Sequence, residues 1–169
     1  MRLRDILLTS TCALAIAATA SAQTTYTAVL SGLSEVPPVA TAATGNCTVV
    51  LNAAQTQLSV SCQFQNLFGT YAASHIHGPA PVGVNAAVKW GFVGVAAGWI
   101  FSNANHDGTL TNFLVNGITP TDVANLNAGQ HYTNVHSNIF PGGELRGQLG
   151  SQPVPTSKSS WSRVKNLFR

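Results

Sequence analysis

Charge is scarce in this chain. Only 8% of its 169 residues are Asp, Glu, Lys or Arg, against about 25% in an average soluble protein. Coiled coils and charged helical bundles are excluded, because their faces are built from Glu and Lys. Apart from residues near the N-terminus, no apolar run approaches the length of a membrane span, and that one is also too short. The sequence shows no Ser/His/Asp triad, no paired carboxylates and no phosphate-binding Gly loop; Gly142-Gly143 reads as a turn. No internal repeat marks a second domain. What remains is a 45% hydrophobic chain with 15 Gly and 8 Pro, apolar enough to bury a core. Its polar surface must come from Thr, Asn, Ser and Gln.

The formal net charge of +3 is unevenly placed. Between Gln23 and Gly150 the two basic residues, Lys89 and Arg146, face four acidic ones, Glu35, Asp107, Asp122 and Glu144, a balance of −2. No clustered Lys and Arg exist there to grip phosphates, so no nucleic-acid partner is expected. Residues 1–22 read as a signal peptide. Arg2 and Arg4 precede an apolar run from Ile6 to Ala18, and Ala20-Ser21-Ala22 supplies small residues for cleavage before Gln23. The expected localisation is secreted or periplasmic. Residues 151–169 form a linker, Gln152 to Ser157, and a basic tail with Lys158, Arg163, Lys165 and Arg169. Trp161, Val164, Leu167 and Phe168 recur at helical spacing in the tail, compatible with weak contact to an anionic membrane surface or with a frayed end. Oligomeric state and any protein partner are not written in the sequence.

Export places Cys47 and Cys62 in an oxidising compartment. They lie in two alternating runs, Cys47–Leu51 and Leu58–Cys62, joined by Asn52–Gln57. If these pair as a hairpin with partner numbers summing to 109, Leu51 faces Leu58, Val49 faces Val60 and Cys47 faces Cys62. Opposed positions bring Cβ atoms within disulfide reach, so a structural disulfide is expected. Further β-period runs span Tyr26–Leu30, Tyr71–His77, Ala86–Val93, Gly98–Phe101, Thr109–Val115, His131–His136 and Glu144–Leu149, with Gly, Pro and Asn between them. Many short strands with regular turn signals predict an all-β, antiparallel, Greek-key-like sandwich or barrel for residues 23–150. One short helix is expected where Thr119-Pro120-Thr121-Asp122 opens and Ala128-Gly129 closes a run. Trp90, Phe92, Trp99 and Phe101 read as core packing.

The histidines carry the chemistry. His75 and His77 are two apart and share a strand face. His131 and His136 are five apart, so at most one of them points with that pair. Three neutral imidazoles from two strands suit copper or zinc; ordinary strand hydrogen bonding is the competing use. Glu144 and Arg146, two apart on one strand, either pair with each other or support a site. Arg146 held against Glu35 or a carbonyl is equally compatible, and Pro37-Pro38 after Glu35 reads as a rigid turn.

Three ordered segments give the chain a resemblance. They are Leu33-Ser34-Glu35-Val36-Pro37-Pro38-Val39, Ala73-Ser74-His75-Ile76-His77-Gly78-Pro79-Ala80, and Gly129 to His136 running on to Pro141-Gly142-Gly143-Glu144-Leu145-Arg146-Gly147-Gln148-Leu149. Together the chain resembles the chordin-type (CHRD) domain family over about Tyr26 to Leu149. The resemblance implies an exported β-sandwich domain. The same segments are distantly similar to Cu,Zn superoxide dismutase, which implies copper ligation by His75 and His77, with His136 as third ligand and Arg146 as an anion-guiding residue. Glu144 joins Arg146 around the site. His131 falls outside that primary set. The dismutase pattern is incomplete: only His106-Asp107 lies where a His/Asp-rich zinc loop is needed, and the core has just two basic residues to attract superoxide. The leading expectation is a non-catalytic copper-binding domain. The alternatives are a metal-free structural or interaction module and a copper-only dismutase-like oxidoreductase.

Overall fold

The computed structural model describes residues 22–151. The expected leader, apart from Ala22, and the expected tail beyond Ser151 lie outside the described residues. The elements follow the alternation. In chain order they are β1 (Thr24–Ser31), β2 (Thr44–Leu51), β3 (Gln57–Gln65), β4 (Tyr71–His77), β5 (Val88–Gly91), β6 (Ile100–Ser102), β7 (Asp107–Asn116), α1 (Pro120–Asn127), β8 (Tyr132–Ser137), β9 (Leu145–Gln148) and β10 (Gly150–Ser151). Alternate residues point inward: Tyr26, Ala28 and Leu30 on β1, Cys47, Val49 and Leu51 on β2, and Leu58, Val60, Cys62 and Phe64 on β3.

The β2–β3 hairpin has the expected register, with Leu51 opposite Leu58, Val49 opposite Val60 and Cys47 opposite Cys62. The two cysteines are disulfide-bonded, with Cα atoms 4.1 Å apart. Both side chains are buried, so the bond lies in the core face of the hairpin.

All the strands join one antiparallel sheet of order β5-β4-β8-β9-β1-β2-β3-β7-β6, with β10 added on β1. The fold is therefore all-β with one short helix, and its sheet is a single curled half-barrel. Side chains bridge its two ends. Tyr71 of β4 packs on Phe101 of β6, ring centroids 4.7 Å apart, and Phe92 meets Phe113 of β7 at 6.1 Å. Trp99 is buried among them and its indole N–H donates to the Phe92 carbonyl at 2.8 Å. The expected aromatic packing thus fills the gap between the edges.

Helix α1 starts on the expected signal. The Thr119 hydroxyl accepts from the Asp122 N–H while the Asp122 carboxylate accepts from the Thr119 N–H, with Pro120 in the first turn. Asp122 also pairs with Lys89 of β5 at 2.7 Å, which ties the helix to the sheet edge.

Candidate metal centre

On β4 and β8 the inward face belongs to Ile76 and Val135, both in the core. Alternation then sends His75 and His77 outward on β4, and Tyr132, Asn134 and His136 outward on β8. The antiparallel register sets Asn134 opposite His75, Tyr132 opposite His77 and His136 opposite Ala73. His136 therefore lies diagonally from His75. Loops cover this outer layer, so His77 and His136 are buried although they lie outside the core, and His75 is half-buried.

One potential ligand atom from each of His75, His77 and His136 lies within 4.8 Å of the others. His75 Nδ1 and His136 Nε2 are 3.0 Å apart. His136 Nδ1 sits 2.9 Å from the Pro141 carbonyl, which can only accept. That contact puts the proton on Nδ1 and leaves Nε2 its lone pair. His77 Nδ1 is 2.9 Å from the Ala86 carbonyl, and His77 Nε2 is 3.0 Å from Asn134 Oδ1. Burial pushes the His75 pKa down to about 4, and the neighbouring His136 and His77 push the same way. Burial also lowers that of His136, against the pull of the Pro141 carbonyl. Two of the three rings are thus held neutral, the form that ligates a metal.

A family model described as the CHRD domain matches residues 26–149. The chain belongs to the CHRD domain family. No curated protein and no solved structure matches it.

Within this CHRD domain, Arg146 and Glu144 have separate tasks and do not pair with each other. Arg146 faces outward on β9 opposite Asn134. Its guanidinium lies 3.4 Å over the Tyr132 ring, and Tyr132 stacks on His77 with centroids 4.8 Å apart. It donates to Asn85 Oδ1 at 2.8 Å and to the Val84 carbonyl at 2.7 Å. The side chain therefore clamps the 78–87 segment, which supplies the Ala86 carbonyl to His77. Arg146 also acts on Glu35 through its charge without a direct ion pair.

Glu144 is fully buried. Its Oε1 accepts from the Thr41 hydroxyl at 2.8 Å and the Phe68 N–H at 2.6 Å, and its Oε2 from the Ser137 hydroxyl at 2.5 Å and the Gly69 N–H at 3.5 Å. It gathers three segments beside the loop that offers Pro141 to His136. Glu35 is buried against Gly143, where φ is +127° and an added Cβ would lie 2.3 Å from Glu35 Oε1.

His131 stays out of the cluster. It stacks on Trp90 at 5.3 Å, fully buried, and neither ring nitrogen has a hydrogen-bond partner. His106 and Asp107 anchor the chain after β3: His106 Nδ1 meets the Leu67 carbonyl at 2.6 Å, and Asp107 accepts from the Asn66 N–H at 2.7 Å. Sequence reasoning missed Asn134 and Tyr132, the groups that hold His77. Their signal was available in the register, since both occupy the outward positions of the strand that carries His136.

Proposed function

We propose that this CHRD domain is an exported, non-catalytic copper-binding protein that holds the ion through His75, His77 and His136. The observation that carries the reading is the approach of three imidazole nitrogens from two adjacent strands. Two nitrogens each about 2.0–2.1 Å from one ion lie about 3 Å apart when they bind at a right angle, and the His75–His136 separation is 3.0 Å. Neutral imidazoles suit copper, and copper leads the divalent affinity order at such sites. His77 adds a condition. Its Nε2 lies 3.0 Å from Asn134 Oδ1, so a metal at Nε2 has to displace the Asn134 side chain. The buried disulfide fits an oxidising compartment, and the leader-like N-terminus supports export.

The test is a copper titration of the chain from Gln23 onward by calorimetry, with metal analysis of protein purified without a tag. Wild type is expected to bind one copper. Equal affinity in His75→Ala/His77→Ala overturns the site.

A second reading has its own support. Five of the six ring nitrogens already have partners inside the protein. In that reading the histidines only tie strand ends to the covering loops of an interaction module. It predicts no tight copper binding, and a lower melting temperature in the same double variant.

A further inference from the structure

The outer layer holds a second group of buried polar side chains, which does not depend on the metal reading. Arg146 is 2% exposed and Glu35 is 5% exposed. Both line a cleft of about 430 Å³, together with Leu33, Val36, Pro38 and Val82. That volume falls within the range of about 300–1,000 Å³ typical of small-molecule sites. The guanidinium has five N–H donors, and its hydrogen bonds go to two neutral acceptors. Among the described residues the one ion pair is Lys89–Asp122, so no carboxylate lies against Arg146. Glu35 Oε1 is buried without a hydrogen-bond partner. Leaving such an atom unpaired costs about 1–3 kcal/mol. Meanwhile Leu33 and Val82 are 79% and 78% exposed and offer apolar surface to whatever enters.

We propose that this cleft binds a small amphipathic carboxylic acid. Its carboxylate pairs with the Arg146 guanidinium, its apolar body lies along Leu33, Val36, Pro38 and Val82, and protonated Glu35 donates a hydrogen bond to it. The geometry makes the fit pH-dependent. Arg146 of β9 is the charged group acting on Glu35; the Asn134 side chain of β8 and the Val36 N–H donate hydrogen bonds to its carboxyl group, which favour the ionised form, and Gly143 packs against Oε1. Burial raises the Glu35 pKa to about 7, against the pull of Arg146 and of the Val36 and Asn134 hydrogen bonds. Above that pH an ionised Glu35 repels the incoming carboxylate and cancels the attraction of the guanidinium. Below it Glu35 is neutral and becomes a donor, while an ordinary carboxylic acid is still ionised.

Octanoate is the probe, titrated calorimetrically into the chain from Gln23 onward. Binding at pH 6 is expected to weaken about tenfold by pH 8, as the protonated fraction of a group with a pKa near 7 falls. Glu35→Gln should bind equally at both pH values. Val82→Glu, at an exposed position, should weaken binding about tenfold and leave the melting temperature unchanged, so a folding defect at Arg146 is not needed for the test. No octanoate binding at pH 6 overturns the proposal. So does 1-octanol binding as tightly as octanoate, or octanoate affinity that neither variant alters.

Discussion

Removing the Glu144 carboxylate should cost more stability than almost any other single truncation of a polar side chain. The four donors on it come from Thr41, Phe68, Gly69 and Ser137. Three of these bonds are 2.8 Å or shorter, and a hydrogen bond to a charged group contributes about 1.5–3 kcal/mol. The cost of desolvating the carboxylate lowers that gross sum. Each neutral donor left buried without its acceptor costs about 1–3 kcal/mol, and a total of about 3–5 kcal/mol is expected for Glu144→Ala after the regained desolvation cost is set against it. At about 4 °C per kcal/mol for a domain of this size, the melting temperature should fall by roughly 10–20 °C. Glu144→Gln keeps the shape. If its amide nitrogen replaces Oε2, the Ser137 hydroxyl can turn to accept, but the Gly69 N–H cannot, so about half the loss is expected, roughly 1.5–3 kcal/mol. Thermal and urea unfolding, followed by circular dichroism, measure both. A Glu144→Ala melting temperature within about 2 °C of wild type would refute the view that this carboxylate organises the loops beside His136.

Other outcomes follow from single features. The disulfide closes a loop of sequence separation 15, so Cys47→Ala/Cys62→Ala should lose about 3 kcal/mol of unfolding free energy in urea. His131 is buried with no hydrogen-bond partner on either ring nitrogen, and burial lowers its pKa. A depressed histidine stabilises the fold above its unfolded pKa of about 6.5 and loses that contribution as pH falls. Wild type should therefore weaken below about pH 6.5, and His131→Phe should show a shallower acid slope in melting temperature against pH. Gly143 adopts φ +127° and has no room for a Cβ beside Glu35, so Gly143→Ala should destabilise by at least about 1–3 kcal/mol, read by urea unfolding.

Much of the fold was legible because period-two alternation reports which face is buried. The hairpin register followed from that and from one loop length, and it placed the disulfide correctly. The shared face of His75 and His77, and the limit of one later histidine beside them, came from the same parity rule; that the one is His136 came from the family resemblance. The sequence did not show how the strands join into one curled sheet, since β1–β9 and β3–β7 neighbours are distant in the chain and no local pattern encodes them. The covering loops were also hidden. Ala86, Pro141 and Val84 act through backbone carbonyls, which any residue type supplies, so nothing in their side chains announces the contacts with His77, His136 and Arg146. Glu144 and Arg146 read as possible partners from spacing alone. Each is engaged elsewhere because the segments packed over β9 bring closer donors and acceptors.

The order of the sheet has a consequence for how this molecule meets its copies. Its two outer strands, β5 and β6, are consecutive in the chain and are joined by residues 92–99. Among the described residues both ends of that strand order, where another chain can add a strand, thus belong to one continuous stretch, Val88–Ser102. That stretch carries two features that blunt sheet edges in general, short strands and a lysine, Lys89, on one of them. The connection between them is itself part of the core, since Phe92 and Trp99 are buried and the Phe92 N–H bonds back to the Ser74 carbonyl of β4. Both outer strands therefore trace to the same fifteen residues, and one of them, β5, lies directly against His75 and His77 of β4.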